Sequence, residues 1–249
     1  MKKYSRPEVD SRAIETLRPD AGFKLALESR SATTGESRIV PVRSDDEMAA
    51  GYPFEENPCL HRTFAQCRDE EDFLRFASRY GLLTVTVPPS SENVRPRANI
   101  FASGESVGLW VHESEALRRC ADLWDAITAN KRAVLARLLG GGGASLRERA
   151  LDEITRIVGG KLGRHQFEAR VTRISLTPIG ISIEYRPPDL LAAIWQRFAD
   201  EVSGQLICRP CESSNCDKWL CSGRADRIYC SKKCKQRVWR RGPNRDVRK

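Results

Sequence analysis

The chain has no run of about 18 apolar residues, the length a helical bilayer span requires; its best stretch, Leu82 to Val87, is short and broken by threonines. No apolar segment follows the charged start Met1-Lys2-Lys3-Tyr4-Ser5-Arg6-Pro7-Glu8, so a cytoplasmic protein with no membrane partner is the expectation. Histidine is scarce. His61, His112 and His165 stand far apart in the sequence, and each reads as a surface or satisfied core residue rather than a general base or a ligand. The four glycines Gly140 to Gly143 have no strand before them and no Lys-Ser/Thr behind them, which argues against a nucleotide loop and for a flexible connection. No internal repeat is visible, and from Ser231 to Arg241 there is no acid at all.

What is present describes a globular chain. Over 249 residues, 40% are hydrophobic and 30% charged, enough for a real core and too apolar for wholesale disorder. The net charge of +9 has one location. Residues 208–249 carry thirteen Lys/Arg against four Asp/Glu, and residues 1–207 carry 29 of each, so the whole imbalance sits at the C-terminal end. The usual counterpart of such an end is a polyanion. Of nine cysteines, six (Cys208, Cys211, Cys216, Cys221, Cys230, Cys234) fall in the same segment. Cys59, Cys67 and Cys120 are scattered and read as core packing. An odd total without an export signal argues against a disulfide framework and for metal binding.

Periodicity divides the rest into an α+β N-terminal domain, residues 1–205. Phe23, Leu25 and Leu27 alternate with polar or small residues as a strand, and Ile39-Val40-Pro41-Val42 reads as a second, confined to an edge by its proline. Phe73, Phe76, Ala77 and Tyr80 recur at i, i+3, i+4, i+7 behind the acidic turn Glu70-Glu71-Asp72 and before Gly81, which is a helix. Leu83, Val85 and Val87 predict a short strand, residues 88–108 a loop, and Leu109 to Leu139 a long helical stretch. Ser145-Leu146-Arg147-Glu148 has the spacing of a capping box opening a helix to Val158. Two alternating runs around Thr177-Pro178-Ile179-Gly180 predict a β-hairpin. Asp189 caps an amphipathic helix through Leu191, Ile194, Trp195, Phe198 and Val202, closed by Gly204. For this domain ligand sensing and homodimerisation are the two roles considered.

Residues 206–241 form a small zinc-finger module, followed by a basic tail, 242–249. Cysteine pairs separated by about 10 to 20 residues suit tetrahedral zinc, because each pair bends back to present two thiolates about 2.3 Å from one ion. With few apolar residues in or beside it, such a segment cannot hold itself together by burial, whereas a metal contributing on the order of 10 kcal/mol can. Cys230 and Cys234, spaced i, i+4 with Ser231 capping a helix between them, are one half of the donor set. For the other half the spacing leaves Cys211 with Cys216 and Cys208 with Cys211 both open. Four thiolates close the shell, and residues 208–249 hold no histidine, so the site reads as structural and the protein as a non-enzyme.

The run Cys211-x4-Cys216-x2-Trp219, then Arg227-x-Tyr229-Cys230-Ser231-x2-Cys234-x2-Arg237, resembles the CGNR-type zinc finger at the C-terminus of bacterial proteins described as stress-induced transcription regulators. In this chain Cys234-Lys-Gln-Arg237 replaces the Gly-Asn pair of that motif, and Cys230-x3-Cys234 is one residue tighter than is typical. Leu190-Leu-Ala-Ala-Ile194-Trp195 and Tyr80-Gly-Leu-Leu83 carry the likeness more loosely upstream. The resemblance implies Zn2+ held by Cys211, Cys216, Cys230 and Cys234, with Cys221 near the second aromatic position and Cys208 just outside. It also implies nucleic-acid binding and transcriptional regulation.

The helix after Cys230 points to the same partner from its residues alone. Lys232, Lys233, Lys235, Arg237, Arg240 and Arg241 would repel one another unless a polyanion, in the first instance duplex DNA, screened them. Val238 and Trp239 are expected to pack against the metal module, and Trp219 and Tyr229 to form its small core. Arg227 reads equally as a structural residue and as a phosphate contact. The rival reading is an adaptor whose basic finger docks an acidic protein surface.

Overall fold

The computed structural model describes residues 16–19, 25–29, 37–41, 48–51, 53–84, 104–165, 167–176, 179–213, 215–216, 218–222 and 227–241. The element order is β1 (Thr16–Pro19), β2 (Leu25–Ser29), β3 (Ser37–Pro41), β4 (Met48–Gly51), α1 (Pro53–Glu56), α2 (Leu60–Phe64), α3 (Glu70–Tyr80), β5 (Glu105–Ser106), α4 (Val107–Thr128), α5 (Arg132–Leu138), α6 (Leu146–Leu162), β6 (Glu168–Leu176), β7 (Ile179–Arg186), α7 (Leu190–Val202), β8 (Ile207–Pro210), β9 (Trp219–Ser222) and α8 (Lys232–Arg241). Helices and short antiparallel sheets are mixed: β1-β4, β2-β3-β5, β6-β7 and β8-β9. No helix among the described residues is long and apolar enough to cross a membrane.

The core gathers around Trp110 of α4, fully buried. The i, i+3, i+4, i+7 stripe of α3 supplies Phe73, Phe76, Ala77 and Tyr80, all buried, and the Asp69 side chain caps that helix by accepting from the Asp72 N–H at 2.9 Å. Phe73 and Phe76 stand 6.0 Å, ring to ring, from Trp110, and Phe64 of α2 stands 5.9 Å from it. The α7 stripe packs on the other side, with Leu190, Ile194, Trp195 and Phe198 at zero exposure. Asp189 caps α7 as its sequence predicts, accepting from Ala192 N–H at 2.7 Å. Two charges inside this core are matched: Lys161 donates to Glu113 at 2.6 Å, and Trp195 Nε1 donates to the other Glu113 oxygen at 2.9 Å.

Several local expectations are corrected. The stretch from Leu109 to Leu139 begins earlier, at Val107, and is two helices rather than one. Asn130 takes a left-handed φ of 51°, and Lys131 and Asn130 N–H close back onto Ala126 and Ile127 carbonyls, so the asparagine ends α4 as a glycine commonly would. Ser145 does not cap α6. Its φ of −95° and ψ of 24° lie outside the extended region from which a cap hydroxyl reaches back to the helix. Pro41 does not confine β3 to an edge, since β3 lies between β2 and β5. The proline is tolerated because β5 pairs only with Arg38 and Ile39. The hairpin of β6 and β7 forms as expected, but Ile179 and Gly180, read as turn residues, belong to β7 and pair with Leu176 and Ser175, and the register shifts between Arg173 and Ser175. Phe23, Val42, Val85 to Val87, residues 88–103, Thr177-Pro178 and the basic tail 242–249 lie outside the described residues.

Leu83 and Thr84 do not pair as a strand. Their N–H groups donate to the buried carboxylate of Glu105, at 2.9 and 2.6 Å, and the Thr84 hydroxyl adds a third bond at 2.7 Å. That arrangement depends on Gly104, which has φ of 58° and leaves no room for a side chain: a Cβ there would stand 2.4 Å from both the Ile39 carbonyl oxygen and Val40 Cγ1. Gly104→Ala combines a left-handed alanine with a backbone collision, and is expected to destabilise the fold by about 2 kcal/mol or more. A urea titration of the variant reads this directly; an unshifted midpoint would contradict it.

Candidate metal centre

Strands β8 and β9 form an antiparallel hairpin in which Pro210 faces Trp219 and Cys208 faces Cys221. Cys211 follows β8 directly, and its N–H donates to the Lys218 carbonyl at 2.9 Å, so Cys211 and Cys216 both lie in the loop that closes the hairpin. Across from them Ser231 caps α8: its hydroxyl oxygen accepts from the Cys234 N–H at 3.2 Å. This places Cys230 just before the helix and Cys234 in its first turn.

The four sulfurs converge. Those of Cys211, Cys216, Cys230 and Cys234 all lie within 4.8 Å of one another. Cys230 Sγ is 3.5 Å from Cys216 Sγ and 3.4 Å from Cys234 Sγ. Four sulfurs at about 2.3 Å from one ion would be about 3.8 Å apart, so this gathering needs little adjustment to hold a tetrahedral metal. The Cys230 N–H also donates to Cys211 Sγ at 3.4 Å, a bond that strengthens as the sulfur becomes a thiolate. The Ser231 hydroxyl and the Cys230 thiol hold Cys234 down to about 7, while burial and the neighbouring thiols push Cys230 up to about 12. Of this pair, Cys234 is the one whose thiolate is favoured.

Little else holds the segment. Cys211, Leu220 and Cys234 are buried, with Cys216, Tyr229 and Cys230 packed partly against them. Arg227 is structural, donating to the carbonyls of Tyr229 (3.4 Å) and Cys230 (3.1 Å). Arg237 reaches back to the Asn215 carbonyl at 3.2 Å. Lys232, Lys233, Lys235 and Arg237 are exposed; the side chains of Arg240 and Arg241 lie outside the described set. Trp239 corrects the expectation that it packs on the metal module: it is 79% exposed, because Cys234 and Val238 occupy the inward side of the helix and Trp239 follows on the outer one. Trp219 is only half-buried and stacks its ring 4.6 Å from the guanidinium of Arg62 in α2.

Cys208 and Cys221 belong elsewhere, to a cluster that local spacing could not reveal. Cys59, read as core packing, is indeed buried, but at the start of α2 it is bonded to Cys221. Cys208 Sγ lies 2.7 Å from Cys221 Sγ and 3.5 Å from His61 Nε2. His61, fully buried, also meets the Glu201 carboxylate at 2.8 Å through Nε2, while its Nδ1 has no partner. Burial lowers the His61 pKa despite Glu201, so the ring is neutral. Arg62 donates to Glu201 through Nε (2.9 Å) and Nη2, and forks onto Asp125 at 2.9 and 3.0 Å. Burial opposes the Glu201 charge, but bonds from His61 and Arg62 outweigh it and hold the carboxyl below its usual range. Cys67 and Cys120 keep to their expected role, buried thiols that desolvation pushes up to about 12. His112 and His165 join neither cysteine cluster.

A groove of about 400 Å³ runs between these elements, lined by Asn57, Thr63 and Arg79 on one wall and Lys218, Trp219 and Arg227 on the other. No protein-family model and no curated protein matches this chain.

Proposed function

We propose that Cys211, Cys216, Cys230 and Cys234 hold one Zn2+, that residues 206–241 are a CGNR-type finger fixed by it, and that the finger's helix α8 binds duplex DNA in a regulator of transcription. A closed shell of four thiolates suits zinc above the other divalent ions and leaves no coordination position for catalysis, so the metal serves structure. The observation that carries the reading is the two-sidedness of α8. Cys234 faces inward into the sulfur group, while Lys232, Lys233, Lys235, Arg237 and the ring of Trp239 stand out in solvent with no acid among them. Cations track phosphates, and an exposed tryptophan beside them offers a face for sugar or base. An adaptor docking an acidic protein would use the same cations, but its affinity would not follow the counterion release of a duplex.

Fluorescence anisotropy of the zinc-loaded protein on duplex DNA across a salt series tests the reading. If about four to six phosphates are neutralised, log K falls with log[salt] at a slope of about −4 to −5. Lys232→Ala and Lys235→Ala each flatten that slope by about one unit if each lysine meets one phosphate. Indifference to duplex DNA at low salt would leave the acidic-protein adaptor.

A further inference from the structure

We propose a second metal site, made by Cys59, Cys208 and Cys221 with His61 Nε2 as the fourth donor, which binds Zn2+ in the reduced protein and clamps the finger hairpin to helix α2. The three sulfurs lie within 4.8 Å of one another, and His61 Nε2 stands 3.5 Å from Cys208 Sγ, about the nitrogen-to-sulfur separation of a tetrahedral zinc shell. A disulfide between Cys59 and Cys221 accounts for two of these sulfurs. It gives no reason for the third to sit 2.7 Å from Cys221, nor for a buried imidazole beside it with an unpartnered Nδ1. A metal accounts for the three sulfurs, and His61 Nε2, which beside Cys208 also meets the Glu201 carboxylate at 2.8 Å, joins them as fourth donor by exchanging that hydrogen bond for the metal and carrying its proton on the unpartnered Nδ1.

The donors come in two local pairs from opposite sides. Cys59 and His61 flank the start of α2, one residue apart, and Cys208 and Cys221 face each other across the β8–β9 ladder. Three thiolates, one imidazole and Zn2+ sum to one negative charge. Burial and Glu201 disfavour a charged Cys208 sulfur, and the guanidiniums of Arg62 and Arg197 oppose them. Arg62 is itself committed to Glu201, Asp125 and the Trp219 ring, so the arginine sets the same two surfaces against each other that the metal would lock.

Loading proceeds in two balanced steps. A phosphine reductant supplies two electrons to the Cys59–Cys221 bond; water gives the two thiol protons and its oxygen leaves as phosphine oxide. Zn2+ then displaces three protons, from Cys59, Cys208 and Cys221, while the His61 ring proton passes from Nε2, where it faces Glu201, to Nδ1, freeing the Nε2 lone pair for the ion.

Elemental analysis of the full-length chain, reduced by phosphine, loaded with Zn2+ and desalted, is the test. The wild type should hold two zinc ions, Cys208→Ser one, Cys216→Ser one, and the double variant none. One ion in the wild type that Cys208→Ser leaves in place overturns the proposal; one ion lost with Cys208 but kept with Cys216→Ser would instead overturn the four-cysteine finger. A second readout is independent of any loss of folding. With two equivalents of Co2+, the d–d bands of a three-sulfur, one-nitrogen site lie at shorter wavelength than those of a four-sulfur site. His61→Cys should therefore move that component to longer wavelength, and an unchanged spectrum would remove His61 from the donor set and overturn the proposal.

Discussion

Removing the metal from the four-cysteine group is expected to unfold α8 and the Cys211–Cys216 loop while the helical core, and the β8–β9 hairpin bonded to it through Cys59–Cys221, stay folded. Around the four sulfurs the buried interior, among the described residues, amounts to Cys211, Ser213, Leu220 and Cys234, with Cys216, Tyr229 and Cys230 packed partly against it, and much of the hydrogen bonding there runs through cysteine sulfur. At about 25 cal/mol per Å² such a small interior stabilises far less than the ordering of α8 and its cysteine loops costs, at roughly 1 to 2 kcal/mol per residue. Structural zinc contributes on the order of 10 to 16 kcal/mol, so the segment folds with the ion and melts without it. Cys216→Ser or Cys234→Ser removes one of four ligands and should have the same result as chelation. Amide hydrogen exchange distinguishes the segments: α8 should lose protection, while α4 and α7, whose buried faces include Trp110, Leu117, Ile194 and Trp195, and the β8–β9 hairpin, bonded to α2 through Cys59–Cys221, should keep theirs. Full protection of α8 in metal-free protein would refute the idea.

The second large effect concerns Glu201. Its carboxylate is 3% exposed and meets His61 and the nearly buried Arg62, whose remaining ionic partner, Asp125, is half exposed. Glu201→Ala leaves the Arg62 side chain, 3% exposed, with only the half-exposed Asp125 to neutralise it, a change expected to destabilise the protein by about 3 kcal/mol. The same substitution at Glu153, whose bond to Arg119 at 2.9 Å lies where both side chains reach solvent, should fall within about 1 kcal/mol. Urea unfolding of the two variants makes the comparison, and equal midpoints would show that the Arg62 network adds nothing beyond a surface ion pair.

Local physics was legible in the sequence where it dominates. The stripe of α3, the Asp189 cap of α7 and the existence of the β6–β7 hairpin all arise between residues a few positions apart, where period and capping chemistry act directly. Spacing likewise marked Cys230 with Cys234 as one pair, but it left Cys211 with Cys216 and Cys208 with Cys211 both open, and only the family resemblance pointed to the four sulfurs that gather. Where a local rule met a competing tertiary one, the sequence reading failed. Pro41 looked like an edge residue, yet β3 has a partner on each side because the second stops short of the proline. Trp239 looked like core, yet helical phase places it outside once Cys234 is turned inward.

The cysteines alone specified that the C-terminal segment is a thiol-rich, cationic unit, because thiol spacing and charge are properties of adjacent residues. That Cys59 and His61 meet Cys208 and Cys221 was decided by the tertiary fold. Those partners are separated by 147 residues or more, and only the packing of α2 against α7, through Arg62 and Glu201, brings α2 to the hairpin. No periodicity records a contact of that range, since it depends on how every intervening element is covered.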